Sequence, residues 1–425
     1  MSRGFYLIIA AQFLSSLADN ALLIAAIAML HDASAPEWMT PLLKLFFTVS
    51  YVLLAPFVGA FADSFPKGRV MLIANFVKLL GCVLMVASWH PLWAYAVAGF
   101  GAAAYSPAKY GILTEMLPPA DLVRANGWLE GSTVTSIILG AVVGGALISP
   151  GVSASLLAVD ISWLDTGIDT PGEVAVVITA LIYLLAGLLN LGIPDTGARY
   201  PKQLIHPIRL IRAFIRANKI LWTDHIGQIS LAITTLFWGA GATLQFIVLD
   251  WARESLGMPL SRAAILQGVV AIGIAFGAVL AARIVRLESA MRVLPVGIAL
   301  GLVVPSMTLV HSAALAYPLL VLIGALAGFF VVPMNAVLQN RGYVRLSAGH
   351  SIAVQNFNEN LNILLMLGLY ALLLHAKVGV TLVILLFGGS IAVLTALVIV
   401  RYRHNRDRHG ADRLIGEIRA DRQDA

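Results

Sequence analysis

Apolar segments of about 20 residues recur along almost the whole chain, separated by short polar breaks. A segment of that length is what an α-helix needs to cross the hydrocarbon core of a bilayer. Twelve such segments can be marked, at 4–30, 42–62, 70–89, 93–114, 127–149, 174–193, 228–251, 263–285, 293–311, 315–338, 350–374 and 380–400. The sequence therefore predicts an all-α integral membrane protein with twelve transmembrane helices.

Composition excludes an ordinary soluble domain. Of the 425 residues, 59% are hydrophobic and 12% are charged, whereas soluble domains carry about 25% charged residues. The spans leave no room for a soluble catalytic domain. The first span lacks a small-residue cleavage site, so we expect a retained helix rather than a signal peptide. The single Cys82 lies in the third span and cannot form an intrachain disulfide.

The distribution of basic residues predicts the orientation in the membrane. Most lysines and arginines lie in the termini and in the even-numbered connections. The odd-numbered connections and their edges hold Lys44, Arg253, Arg262 and Lys377. Because cytoplasmic loops carry the excess of basic residues, both termini are expected in the cytoplasm. The formal net charge of +6 then reflects topology, and we expect no nucleic acid partner.

The longest polar interruption divides the spans into six and six. We predict an N-terminal half at 1–193, a cytoplasmic linker at 194–227, a C-terminal half at 228–400 and a basic cytoplasmic tail at 401–425. The linker carries an apolar series and a basic series, both at helical spacing. The two series are Leu204, Ile208, Ile211 and Ile215, and Arg209, Arg212, Arg216 and Lys219. This pattern predicts an amphipathic helix, either on the membrane surface or serving only as a linker.

The two halves also resemble each other at a nearly constant offset. Three pairs of residues are 226 or 229 positions apart, namely Pro107 with Pro333, Asp19 with Gln245, and Glu130 with Glu359. Weak internal symmetry of this kind is typical of duplicated transporters, whose substrate site lies near the midplane where the repeats meet.

Lys109 is a cation inside an apolar span, at a cost of roughly 2.5–3.5 kcal/mol on insertion scales. Such residues usually face a polar cavity and mark a functional site. Polar side chains also recur at helical spacing in spans one, seven and eleven. These are Gln12, Ser16, Asp19 and Asn20; Thr235, Trp238 and Gln245; and Gln355, Glu359 and Asn362. They could line a pathway or join helices to one another, and Asp19 and Lys109 could pair with each other or with Glu130.

The chemistry of these groups suits two kinds of cargo. A lysine suits an anionic phosphate, whereas a carboxylate such as Asp19 or Glu359 suits an amine or a proton. Together they match a zwitterionic head group. A proton-coupled solute carrier would use the same carboxylates.

The segment 59–71 forms a tight turn between spans two and three. It contains Asp63, Lys67 and Arg69 and resembles the signature of the major facilitator superfamily at this loop. The resemblance implies that these residues, with Glu130, set the inward–outward equilibrium rather than bind substrate. The alternative is a merely solvated turn.

Further segments resemble the bacterial lysophospholipid transporter family of that superfamily. They are Ala11–Leu22, Ala62–Arg69, Ala104–Leu113, Phe237–Ala242, Gly328–Asn335 and Val354–Asn360. The resemblance implies the major facilitator fold, no enzyme activity and no cofactor. It implies transport of lysophosphatidylethanolamine and related lysolipids from the outer to the inner leaflet of the bacterial inner membrane. There an acyltransferase/acyl-carrier-protein synthetase would re-acylate them.

Carried over by position, the resemblance assigns Asp19, Asn20, Lys109 and Tyr110 to the head group, with Gln355 and Glu359 nearby. Trp238 and Gln245 complete the expected substrate site. Relatives carry arginine at the position of Gln245, which puts affinity or head-group preference in question. The competing interpretations are a proton-coupled exporter of drugs or small solutes, a lipid acyltransferase, and a structural scaffold. The chain has no His-x-x-x-x-Asp pair for acyl transfer.

Overall fold

A computed structural model describes residues 2–36, 38–158, 169–201 and 206–417. Within these ranges the chain is helical and contains no strand. The α-helices are α1 Arg3–Asp32, α2 Met39–Ser64, α3 Lys67–Val86, α4 Pro91–Met116, α5 Leu122–Leu147, α6 Pro150–Leu157, α7 Pro171–Leu191, α8 Pro207–Thr223, α9 Gly227–Glu254, α10 Leu260–Ile284, α11 Leu294–Val303, α12 Ala313–Arg345, α13 Ala348–His375 and α14 Val380–His409. Short 3₁₀ turns cover Pro119–Asp121, Leu287–Val293, Val304–Leu309 and Ala411–Leu414.

Each of the twelve predicted spans coincides with a helical segment. Eleven of these segments in the described chain are long and apolar enough to cross a membrane. The remaining one, α4, has 26 residues but is rich in alanine, glycine and tyrosine and contains Lys109, which lowers its hydropathy. The predicted all-α membrane fold is confirmed, whereas α6 and the 3₁₀ turns flanking α11 were not predicted. Leu204 of the linker pattern and residues 418–425 of the predicted tail lie outside the described residues.

Local sequence signals explain where several helices begin. Thr170 precedes Pro171, and its hydroxyl accepts a hydrogen bond from the Glu173 amide at 3.3 Å. The Glu173 carboxylate accepts in return from the Thr170 amide at 2.9 Å. This reciprocal capping box satisfies amides that have no partner in the first turn. Ser347 caps α13 similarly by accepting from the His350 amide.

The chain forms two compact units, one of residues 1–112 and 135–210 and one of residues 113–134 and 211–425. The first half of α5 therefore belongs to the second unit. One reason is a reciprocal amide pair, in which Asn126 of α5 and Gln339 of α12 donate to each other at 2.8 Å. The predicted division of the chain into two six-helix halves, ending at residue 193 and beginning again at residue 228, remains a prediction.

Glycines bring α10 and α12 close together in the second unit. Gly273 and Gly277 on α10, and Gly324 and Gly328 on α12, stand four residues apart on their helices. A Cβ atom at any of the four would collide with a backbone carbonyl oxygen of the facing helix. This is the small-xxx-small packing that allows membrane helices to approach closely.

Within the second unit, the described chain after α14 packs against α12. Arg341 on α12 donates from Nε and Nη2 to the two carboxylate oxygens of Asp224, both at 2.8 Å. Its Nη1 donates to Glu417, which follows the last 3₁₀ turn. Burial acts to raise the pKa of Asp224, but the hydrogen bonds from Arg341 and from the Gly227 amide outweigh it and leave this pKa below its ordinary value. Asp224 is therefore an anion at neutral pH and anchors the start of α9.

Substitution of Gly277 tests the close approach of α10 and α12. We expect Gly277→Val to lower the free energy of unfolding by about 1–3 kcal/mol, because the added side chain overpacks a backbone contact. Gly268→Val, on the same helix but with open space around its Cα, is the matched control and carries the same β-branched penalty. Thermal unfolding of the purified proteins in detergent gives the comparison. Equal losses for the two variants would contradict the packing described.

Candidate functional site

Asp19 on α1 forms an ion pair with Lys78 on α3. The Lys78 ammonium lies 2.8 Å and 2.9 Å from the two carboxylate oxygens of Asp19. The hydroxyl of Tyr183 on α7 donates to the same carboxylate at 2.7 Å. The Lys78 side chain is 1% exposed and the Asp19 side chain 19% exposed, so the carboxylate is the only member of the pair that an incoming molecule could reach.

Several other groups surround the Lys78 ammonium. It donates to the Ser15 hydroxyl at 2.9 Å, and Ser15 donates in turn to Asn75 at 2.7 Å. The rings of Tyr105 and Tyr183 lie with their centroids 4.8 Å and 5.5 Å from the Lys78 nitrogen. Cation–π contacts of this length stabilise a desolvated ammonium. We call Ser15, Asp19, Asn75, Lys78, Tyr105 and Tyr183 the Asp19 cluster.

A glycine on α4 explains how the long side chain of Lys78 fits in this buried position. Gly101 on α4 faces Lys78, and a Cβ at Gly101 would come within 2.6 Å of the Lys78 Cγ atom and of the Ala74 carbonyl oxygen. The glycine leaves room for the aliphatic stem of Lys78. Gly101 lies in the small-residue run that precedes Pro107.

The pairing of Asp19 corrects one sequence-based expectation. Its ion-pair partner is Lys78 rather than Lys109. Sequence reasoning placed Lys78 inside a span without assigning it a role. The sequence does contain a signal for a role of Lys78, because this residue is a cation within the predicted span 70–89, just as Lys109 is within span 93–114.

Lys109, Tyr110 and Asn20 also belong to the first unit. The Lys109 nitrogen lies 4.4 Å from the centroid of the Tyr110 ring, and both side chains are half-buried. Asn20 follows Asp19 on α1, and its amide donates to the Ser16 carbonyl at 2.8 Å. The predicted head-group residues of this unit thus comprise a half-buried cation beside an aromatic ring and a partly exposed carboxylate.

In the second unit, two amides connect two buried carboxyl groups. Asn335 on α12 donates to Glu130 on α5 at 3.3 Å. Gln355 on α13 donates to Asn335 at 3.0 Å and to Glu359 at 2.8 Å. All four side chains are buried. We call Glu130, Asn335, Gln355 and Glu359 the amide relay, which links three helices through buried polar contacts.

Trp238 and Gln245 lie on α9, outside the amide relay. The Gln245 amide donates to Gln267 on α10 at 2.8 Å, so at least part of its hydrogen-bonding capacity joins helices. The Trp238 ring meets Phe237 edge to face, with centroids 5.5 Å apart. Asn362 donates to the Thr235 carbonyl at 2.8 Å, which ties α13 to α9. For Gln245 and Asn362 the structure contains the helix-joining contacts that the sequence left as an alternative.

The turn between α2 and α3 is locked by a buried ion pair. The Lys67 ammonium lies 2.9 Å from the Asp63 carboxylate and donates to the Ala62 carbonyl at 2.7 Å. It also lies 4.9 Å from the centroid of the Tyr200 ring. Both charged side chains are buried, whereas Arg69 is exposed. The interpretation as a merely solvated turn is wrong for Asp63 and Lys67.

Comparison with known proteins agrees with this architecture. Residues 8–365 match the family model of the Major Facilitator Superfamily. The chain is 45% identical to the lysophospholipid transporter LplT of Citrobacter koseri over 93% of this chain and 94% of the relative. It is 44% identical to the Shigella flexneri protein of the same name, over 95% and 97%. The chain belongs to the lysophospholipid transporter family of the major facilitator superfamily.

As a member of this family it is a multi-pass membrane transporter, not an enzyme. Solved structures of distant transporters share its fold. The transporter FucP in the outward conformation superposes with a TM-score of 0.71 at 16% identity, covering 93% of this chain and 98% of FucP. A bacterial homologue of the iron transporter ferroportin gives 0.69 at 13% identity, covering 95% and 100%. At these identities the likeness concerns the fold alone.

A double-mutant cycle tests the Asp19–Lys78 pair. We expect Asp19→Asn to cost about 3–5 kcal/mol of unfolding free energy, because it leaves a buried ammonium without its counter-ion. Lys78→Met should cost less, since the remaining carboxylate is partly exposed. The double variant should recover more than about 1 kcal/mol relative to the sum, as expected for residues in contact.

The exposed pair Asp195–Arg199 provides the control for that cycle. These side chains are 45% and 66% exposed, and exposed pairs contribute about 0–1 kcal/mol. Thermal unfolding in detergent serves for all variants. Additive losses at Asp19 and Lys78 would contradict a direct pair.

Proposed function

We propose that this chain moves lysophospholipids, chiefly lysophosphatidylethanolamine, from the outer to the inner leaflet of the bacterial inner membrane. The observation that carries the proposal is the 44–45% identity, over more than nine-tenths of both lengths, with proteins named lysophospholipid transporter. Re-acylation by an acyltransferase/acyl-carrier-protein synthetase would consume the transported lipid. Both termini would face the cytoplasm, as the distribution of basic residues predicts.

The head group would be bound by residues of the first unit. Lys109 supplies a positive charge suited to the phosphate, with Tyr110 stacked beside it. The partly exposed carboxylate of Asp19 attracts the ammonium of ethanolamine, and Asn20 offers an amide next to it. Because Lys78 already neutralises Asp19, the amine would bind a nearly neutral pair. That pair favours a zwitterion over a substrate with a net charge.

Residues of the second unit would complete the pathway. Gln355, Glu359, Gln245 and Trp238 are proposed to contact the substrate during transport. Glu130, together with Asp63, Lys67 and Arg69 of the locked turn, would control the inward–outward equilibrium. We propose alternating access of the two six-helix halves, 1–193 and 228–400, joined by the linker 194–227. A single acyl chain would remain in contact with the bilayer throughout, and a second chain would be harder to accommodate.

Glutamine at position 245 has a specific consequence for this mechanism. The family resemblance implies an arginine at this position, and arginine is a bidentate phosphate ligand. Gln245 instead donates to Gln267. Lys109 would then supply a larger share of phosphate binding in this chain, and head-group preference would depend more on Asp19.

One observation favours a second candidate, a proton-coupled exporter of small solutes. Glu130 and Glu359 are two buried carboxyl groups linked through hydrogen-bonded amides, and a buried carboxyl group can bind and release a proton when its surroundings change. This mechanism predicts carboxylate-dependent flux of a small solute that is driven by a pH gradient. Lysolipid transport predicts dependence on Asp19 and Lys109.

Uptake of labelled lysophosphatidylethanolamine into spheroplasts tests the proposal. We expect Asp19→Ala and Lys109→Ala each to reduce the uptake rate at least about tenfold, the equivalent of 1.4 kcal/mol of lost interaction. Lys377→Ala, at an exposed lysine in the α13–α14 connection, should leave it unchanged. Equal insertion of all variants is confirmed by immunoblot of membranes. Uptake that survives both substitutions would reject the site, and no uptake by the unaltered chain, where a known transporter succeeds, would reject the function.

A further inference from the structure

Helix α8 packs against α13 through one face. Phe214, Ala217 and Leu221 are buried, and the Phe214 ring meets Phe357 edge to face with centroids 5.2 Å apart. Polar contacts reinforce the packing, because Asn358 donates to Asn218 at 2.8 Å and accepts from the Trp222 indole at 3.1 Å. The helix is therefore fixed in rotation about its own axis.

A second face of α8 exposes isoleucines. Ile208, Ile211 and Ile215 are 55%, 40% and 60% exposed. Their spacing of three and four residues places them on one side of the helix. At 100° per residue this side lies about 120° from the docked face. We call these three residues the isoleucine stripe.

A third face of α8 is basic. It consists of Arg209, Arg212, Arg216 and Lys219, all exposed, and it adjoins the isoleucine stripe on the side away from α13. The sequence of α8 contains no aspartate or glutamate. The surface that α8 presents is thus a band of β-branched apolar side chains bordered by four positive charges.

The position of α8 in the fold indicates which partner this surface meets. The helix ends at Thr223, four residues before α9 begins at Gly227. Its contacts on α13 are with residues 357 and 358, in the third turn of a helix that begins at Ala348. Both α9 and α13 are long and apolar enough to span a membrane. These contacts lie toward the first turns of both helices. Because α13 has 28 residues and is about 42 Å long, it exceeds the hydrocarbon core of about 30 Å, so α8 lies near the end where a spanning helix would leave that core.

We propose that α8 binds the surface of an anionic phospholipid leaflet. The isoleucine stripe inserts among the upper acyl chains, and the four basic residues pair with acidic head groups. This is how amphipathic helices lie in the interface plane. The charge complementarity favours acidic over zwitterionic lipids. An acidic protein or a nucleic acid would use the basic face but would leave the isoleucine stripe exposed to water. The inference is independent of which substrate the transporter carries.

A single fluorescent label on α8 tests this binding in the full-length protein. Cys82, the one cysteine of the chain, is changed to alanine, and Ile215→Cys is labelled with an environment-sensitive dye. Ala213→Cys is the matched control, because it is half-buried and lies roughly opposite the isoleucine stripe at 100° per residue. Both variants retain all four basic residues. The proteins are reconstituted in vesicles of phosphatidylcholine alone or mixed with phosphatidylglycerol, with nitroxide-labelled lipid as quencher.

We expect the dye at position 215 to be quenched by the labelled lipid and shifted to shorter wavelength. Both effects should increase with the fraction of phosphatidylglycerol and weaken when salt shortens the Debye length from about 10 Å to about 3 Å. The dye at position 213 should respond little. Adding Arg212→Gln and Arg216→Gln should raise the phosphatidylglycerol fraction needed for half of the effect at least about twofold.

Three outcomes would overturn the inference. One is a dye at position 215 that remains in water at every lipid composition. Another is equal quenching at positions 213 and 215, which would show that the isoleucine stripe does not define the inserted face. The last is an unchanged phosphatidylglycerol fraction for half of the effect after Arg212 and Arg216 are both replaced by glutamine. Because no transport is measured, failure of the lysolipid proposal would leave this test unaffected.

Discussion

A polar group buried in a bilayer must find its partner inside the protein, and the arrangement of this transporter follows from that requirement. The first unit satisfies it with an ion pair. Asp19 and Lys78 neutralise each other, with Tyr183 donating to the carboxylate and Tyr105 facing the ammonium. Four helices, α1, α3, α4 and α7, each contribute a group to this cluster. The pair therefore fixes the helices of this unit and leaves a carboxylate with one open side.

The second unit satisfies the same requirement mainly with amides. Asn335 and Gln355 join Glu130 to Glu359, and Asn126 pairs reciprocally with Gln339. Neutral amides donate and accept without a formal charge, so these contacts can be exchanged at a lower electrostatic cost than an ion pair. Glycines on α10 and α12 bring backbones together nearby. The second unit also contains the Arg341–Asp224 ion pair before α9, but the contacts that join α5, α12 and α13 are amides, and exchangeable contacts of this kind suit a transporter that must alternate between states.

Sequence patterns predicted the spans well, because the length and hydropathy of a membrane helix are local properties. They predicted the amphipathic character of α8 for the same reason. They did not predict that Lys78 pairs with Asp19, since residues 59 positions apart meet only once α1 packs on α3. The link from Glu130 to Glu359 likewise depends on three helices. The 3₁₀ turns around α11 escaped notice because hydropathy does not register a change of helical pitch. The helix α6 has 8 residues and is too short to give the hydropathy signal of a membrane span.

The central proposal is that the head group binds with its amine at the open side of Asp19 and its phosphate at Lys109. A lysophosphatidylethanolamine with a photoactivatable diazirine beside its amine tests it most directly, through cross-linking in native membranes and mapping of labelled peptides by mass spectrometry. The account predicts labels within 15–20 on α1 and 105–110 on α4, competed away by unlabelled lysolipid. Labels confined to the exposed, lipid-facing residues of other helices, or labels that do not respond to competition, would contradict it.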